Sequence, residues 1–172
     1  SGSFANTTGL SFCELCSVGK VQPSQTQSSC NDCLAGTFSA AKGLKVCDPC
    51  PSGTFVATNG SSSCGSCSQG RVQASTGKSY CDICQPGDFM DASGAFACKQ
   101  CPQGTFSNTS NAVGCINCPP TTFQGAIGQS SCDQCPTGRS NLVPAQPVCA
   151  PCAAGRFPAV NGSAVCEPCP VG

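Results

Sequence analysis

The chain has 172 residues, with eight basic and eight acidic side chains and no histidine. A net charge of zero argues against nucleic acid or an anionic membrane as partner, since both need a positive field, and the missing His removes the commonest general base. Leu, Ile, Val and Phe number only 28 of the 172 residues, against 20 cysteines. Apolar burial alone therefore cannot hold the chain, and cross-links must. Cysteine at this density points to an oxidising compartment, so the expected location is extracellular, secreted or at the cell surface.

In chain order, Ser1-Gly2 leads to a first CxxC at Cys13 and Cys16. Further CxxC pairs then begin at Cys30, Cys47, Cys64, Cys81, Cys98, Cys115, Cys132, Cys149 and Cys166, each 17 residues after the last. Loops tolerate length changes at little cost, so a period with no insertion implies that every unit stacks on its neighbours. Residues 1–172 read as one continuous array. Ser1-Gly2 aligns with Val18-Gly19, and Val171-Gly172 with the same place later. Both ends thus fall inside a unit, and the chain is expected to be a segment of a longer array.

Within each unit a glycine follows the second cysteine by three, at Gly19, Gly36, Gly53, Gly70, Gly87, Gly104, Gly138, Gly155 and Gly172, with Thr121 the exception. Two residues on is an apolar slot, filled by Val21, Phe38, Phe55, Val72, Phe89, Phe106, Phe123 and Phe157 and broken by Ser140. A second glycine sits in mid-loop at Gly43, Gly60, Gly77, Gly94, Gly128 and Gly162, with Asn111 once in its place. The first glycine permits a bend, the slot side chain is expected against the nearest disulfide or the next unit, and the second glycine makes the turn. No stretch has helical periodicity. The expected fold is small and disulfide-rich: an elongated, solenoid-like repeat rod of ten 17-residue units made of short β-hairpins and turns, with almost no helix.

Spacing does not determine connectivity. In one scheme the second cysteine of a unit pairs with the first of the next: Cys16–Cys30, Cys33–Cys47, Cys50–Cys64, Cys67–Cys81, Cys84–Cys98, Cys101–Cys115, Cys118–Cys132, Cys135–Cys149 and Cys152–Cys166. Cys13 and Cys169 would then pair outside the segment. In a second scheme adjacent units cross-pair, as Cys13–Cys30 with Cys16–Cys33. In a third each CxxC closes on itself. CxxC repeats also have the spacing of zinc knuckles, against which stand the missing His and the uniform array; no metal is expected. A redox CxxC needs one thiolate singled out by a cation or a helix N-terminus, and ten equivalent motifs single out none.

Asp32, Asp48, Asp82 and Asp133 lie within CxxC pairs and are expected to cap turns. Asp88 and Asp91 flank Phe89; two carboxylates fall well short of a calcium cage and are expected to be solvated. Phe12 and Phe96, outside the repeat slot, are expected to cover a junction or touch a neighbouring chain. Four N-glycosylation sequons begin at Asn6, Asn59, Asn108 and Asn161, one in every third unit. Val21-Gln22, Val72-Gln73 and Phe123-Gln124 recur at 51-residue steps. A superperiod of three units would give the rod faces, with the glycans along one of them.

The stretch Cys101–Cys115, CPQGTFSNTSNAVGC, resembles the CPxGT[FY]…C unit of ephrin-receptor-like cysteine-rich repeats and the first half-module of tumour-necrosis-factor-receptor cysteine-rich domains. All ten units fit the pattern, although Pro follows only Cys50, Cys101, Cys118, Cys135 and Cys169. In those half-modules one disulfide joins the two ends of the loop, so the resemblance implies the first pairing scheme. Such repeats occur in receptor ectodomains and in long surface proteins of protists and algae. The expected function is a structural glycoprotein, not an enzyme: a stiff extracellular rod, filament or surface appendage. It would carry covalent glycans and no cofactor, self-associate or meet neighbouring chains of the array, bind no nucleic acid and insert in no membrane. The alternatives are a ligand-binding cysteine-rich receptor ectodomain and a zinc-binding CxxC array.

Overall fold

The computed structural model describes residues 1–172 except Thr8, Leu10, Ser11, Ala159, Asn161, Gly162, Ala164, Val171 and Gly172. The described residues form ten two-stranded ribbons, and no helix occurs among them. One pattern repeats. Thr37–Phe38 pairs antiparallel with Asp48–Pro49, Thr37 facing Pro49 and Phe38 facing Asp48. Thr54–Phe55 pairs in the same register with Gly65–Ser66, and Thr105–Phe106 with Ile116–Asn117. Each hairpin therefore leaves from the glycine and the apolar slot and returns through the two residues inside the next CxxC.

This register corrects the reading of the aspartates. Asp32, Asp48, Asp82 and Asp133 lie in the return strands and cap no turn. Both residues of each of these strands are exposed, so a charged side chain there keeps its water while its backbone completes the ribbon.

Two compact units are present, Ser1–Asp82 with Ala92–Ala97 and Ile83–Asp91 with Cys98–Gly172. In the first, the Gly19 N–H donates to Ser39 O (2.9 Å) and Gln22 N–H to Leu44 O (3.2 Å), both one loop ahead. The Gly60 N–H returns to Cys33 O at 2.7 Å. The second unit repeats the network: Gly87 N–H to Ser107 O, Met90 N–H to Ala112 O and Asn111 N–H to Cys84 O, at 2.8 to 3.0 Å. Loop is thus bonded to loop by backbone groups whose positions do not depend on side-chain identity.

Stacking reaches one loop further. Gly53 has φ +78, and a Cβ there would fall on the carbonyl oxygen of Gly94; Gly19 and Gly60, Gly36 and Gly77, and in the second unit Gly87 and Gly128, repeat the same approach. Where the sequence lacks glycine the network still imposes the left-handed backbone: Asn111, Thr121 and Ala145 have φ of 64, 76 and 61, and Thr26 has 59. Thr121 holds it with its N–H on Asn141 O (2.8 Å) and its carbonyl accepting from Cys135 N–H (3.0 Å). Neighbouring contacts can impose a conformation that such a residue would leave if free.

The core is unusual in composition. The first cysteines of successive disulfides, Cys16, Cys33, Cys50, Cys67, Cys84, Cys101, Cys118 and Cys135, are at most 1% exposed. Beside them lies the residue after the apolar slot: Gln22, Ser39, Gln73, Met90, Ser107, Gln124 and Asn141 are buried. The slot itself is less buried than its apolar character suggests. Val21 and Val72 are covered, but Phe38, Phe55, Phe89, Phe106 and Phe123 are half-buried, which leaves part of each ring in solvent.

The glycine contacts predict a graded response to substitution. Gly53→Ala adds a backbone clash to left-handed strain and is expected to lose about 2 kcal/mol or more. Gly138 has φ +81 and nothing within 4 Å of its would-be Cβ, so Gly138→Ala should lose only the strain, about 1–2 kcal/mol. Denaturant midpoints of the two variants test this, and equal losses would show that the Gly53 to Gly94 approach does not constrain the fold.

Candidate functional site

Nine disulfides join Cys16–Cys30, Cys33–Cys47, Cys50–Cys64, Cys67–Cys81, Cys84–Cys98, Cys101–Cys115, Cys118–Cys132, Cys135–Cys149 and Cys152–Cys166. Each has a sequence separation of 14 and a Cα–Cα distance between 5.6 and 5.8 Å. Every CxxC between Cys30 and Cys152 thus closes the loop behind it with its first sulfur and the loop ahead with its second. Cysteines so engaged offer no thiolate to a zinc ion or a redox substrate. Cys13 and Cys169 are free and exposed. Disulfides at this density belong to an oxidising, extracellular or surface setting.

A second layer of the site is polar and buried. Gln73 is 2% exposed; its Nε2 donates to Tyr80 O at 2.9 Å and its Oε1 accepts from Ser75 N–H at 3.0 Å. Gln22 does the same with Ser29 O and Ser24 N–H, and Gln124 with Ser131 O and Ala126 N–H. One amide ties both ends of its loop and satisfies two backbone groups that packing hides from water. Between them, Ser39 and Ser107 make a shorter link, each hydroxyl donating to the carbonyl two residues on. The 51-residue recurrence of Val-Gln or Phe-Gln in the sequence thus marks a loop with an internal clamp, a role the pattern alone does not reveal.

Three of the sequon asparagines, Asn6, Asn59 and Asn108, are exposed, while Asn161 lies outside the described residues. Asn59 Oδ1 accepts from the Ala35 N–H at 2.8 Å, which leaves Nδ2, the nitrogen that carries a glycan, without a role in that bond. The sequons sit on the loops that begin at Phe4, Phe55, Phe106 and Phe157, and the next loop after each of the first three is a Gln-clamped one.

Charged groups form exposed pairs, Lys20 with Asp32 at 2.6 Å and Lys99 with Asp91 at 2.7 Å. The Lys99 ammonium lies 5.8 Å from the Phe89 ring centroid. Its hydrogen bond to Asp91 holds that carboxyl below the ordinary aspartate value. Asp88 lies in the strand opposite Gln100. No group of three or more His, Cys, Asp or Glu arranged for a metal occurs among the described residues. Phe12 and Phe96 are 71% and 65% exposed, so the rings do not cover a junction within the chain as their place before a cysteine suggested.

Residues 2–43, 36–79 and 104–146 match the family model described as tyrosine-protein kinase ephrin type A/B receptor-like, and together they span well over half of the chain. No curated protein sequence matches.

Two measurements probe these groups. Gln73→Ala removes both partners of a clamp and is expected to cost about 1–3 kcal/mol for the buried backbone groups left unpaired. The exposed Gln85→Ala should stay within about 0.5 kcal/mol. Equal, near-zero losses in chemical denaturation would remove the clamp. For Asp91, an NMR titration should give a midpoint below 3.8 in the native chain, rising in Lys99→Ala. Because the folded value is depressed, whatever the pair contributes is present at neutral pH and fades as pH falls through that midpoint.

Proposed function

The chain belongs to the ephrin type A/B receptor-like family of cysteine-rich repeats, and from that premise we propose that it is a structural glycoprotein: a continuous array serving as a stiff extracellular rod, filament segment or surface appendage. The observation that carries this reading is the closure of the loops by disulfides, with the loops as far as that of Thr121 bonded through their backbone to the loop ahead. Such a chain resists local opening at each step, because unfolding one loop must break contacts on both sides and cannot release its ends.

The chemistry of the surface supports a mechanical and not a catalytic role. The buried polar side chains are held in loop clamps, and the charged groups lie at the surface in simple pairs or singly. Function is therefore assigned to spacing and stiffness. Asn6, Asn59, Asn108 and Asn161 are proposed to carry N-linked glycans, and contacts between chains are assigned to the faces away from them. No cofactor is assigned. A ligand-binding receptor ectodomain is the second reading. The family description names receptors, and exposed Phe12, Phe96 and Leu34 give such a surface its apolar points.

Small-angle scattering of the oxidised glycoprotein separates the two readings when combined with electron microscopy of native material. A rod gives a cross-section that stays constant along a long axis, which enzymatic deglycosylation thins but does not shorten, and full reduction should abolish the profile. A compact, globular profile for the oxidised chain would sink the rod reading. Isolated particles capped by a bound ligand would favour the receptor.

A further inference from the structure

A shallow groove of about 450 Å³ runs beside the sequon loop of Asn59, lined by Phe55, Ala57, Ser66, Ser68, Arg71 and Tyr80. A groove of about 310 Å³ lies at the same place three units earlier, with Phe4, Ser17, Lys20 and Ser29 at the positions of Phe55, Ser68, Arg71 and Tyr80. Both sit between a sequon loop and a Gln-clamped loop. Their far walls, Ser29 and Tyr80, are the residues whose carbonyls Gln22 and Gln73 hold. The same groove thus recurs at two places three units apart.

We propose that these grooves seat the first sugar of the chain's own N-linked glycans, that of Asn59 in the larger one and that of Asn6 in the smaller. This rests on the reading of the sequons as occupied. The elements the two grooves share are a half-exposed aromatic ring and a serine hydroxyl. Their charge is not shared: Lys20 is neutralised by Asp32 at 2.6 Å and stands beside Glu14, whereas Arg71 has no carboxylate partner in its groove. An occupant common to both is therefore uncharged, with one C–H face for the ring and polar groups for the hydroxyls, which is the chemistry of N-acetylglucosamine. Ala57 in the wall stands two residues before Asn59 and is the counterpart of Asn6 three units earlier. The Ala35 N–H fixes the Asn59 amide, so less side-chain freedom is lost when the sugar settles.

The test uses the full chain made in a glycosylating host with isotope-labelled N-acetylglucosamine. Protons of the first sugar on Asn59 should be displaced upfield by ring currents from Phe55 and Tyr80. Phe55→Val combined with Tyr80→Ser should return them to their free-glycopeptide positions. Both replacements already occur at equivalent places, as Val21 and Val72 in the slot and Ser29 in the wall, so the fold is retained. Enzymatic release of the glycan should be several-fold faster from the double variant. Free-glycopeptide shifts in the native chain with Asn59 occupied would overturn docking and leave the glycoprotein reading intact. Mass spectrometry showing Asn59 unoccupied would overturn both.

Discussion

The disulfide between the second cysteine of one CxxC and the first of the next is the constraint on which the rest of the structure depends. It closes a loop of 14-residue separation, for which the loop-entropy account gives about 3 kcal/mol. Closure matters here because the loop has little else. Its ribbon is two residues long per strand, and an isolated two-stranded ribbon is marginal in water. Once the ends are tied, the remaining freedom is small enough for a few backbone hydrogen bonds to fix it.

Those hydrogen bonds then determine what the side chains must be. The bends at Gly2, Gly19, Gly36, Gly53, Gly87 and Gly104 each donate one loop ahead and meet the tip of the loop beyond. Both places need a left-handed or Cβ-free backbone, so glycine occupies most of them, and Asn111, Thr121 and Ala145 are carried into the same conformation by their neighbours. The sulfurs fill the centre, so little room remains for large apolar groups. The interior position beside them takes whatever can finish the loop's hydrogen bonding: Gln in one loop of three, Ser or Met in others. A cross-linked core can hold polar residues at low cost when each is satisfied, and no unsatisfied buried side-chain atom occurs among the described residues.

Much of this was legible in the sequence, because spacing is what the chain holds constant. The unit length, the bend and turn glycines and the absence of helix all follow from it. Spacing alone does not say which sulfur meets which, since three pairings preserve it; the structure adopts the one from each second cysteine to the next first. Burial was harder to read. A recurrent Phe suggests a core, yet the ring is half-exposed, while its polar successor is inside. Hydropathy reads Gln73 as surface because it cannot see that both its amide groups have backbone partners at the two ends of one loop. The aspartates inside CxxC pairs likewise look like turn caps until the register shows the return strand running through them.

The half-exposed Phe then acquires a meaning that a buried one would not have. Full burial of an exposed side chain of this kind is worth about 1.5–3 kcal/mol, and the half-buried ring forgoes part of this in unit after unit. A scaffold already closed by sulfur does not need that contribution, so the ring can face outward. Beside Phe4 and Phe55, where the next loop is clamped by Gln22 and Gln73, a groove lies between the ring and the clamped wall. The sequons fall on those same loops. The 17-residue unit thus supplies the disulfide-closed loop, while the three-unit step set by the glutamines decides where along the array the surface differs. A repeat protein of this kind can carry information in its surface without breaking the spacing that holds it together.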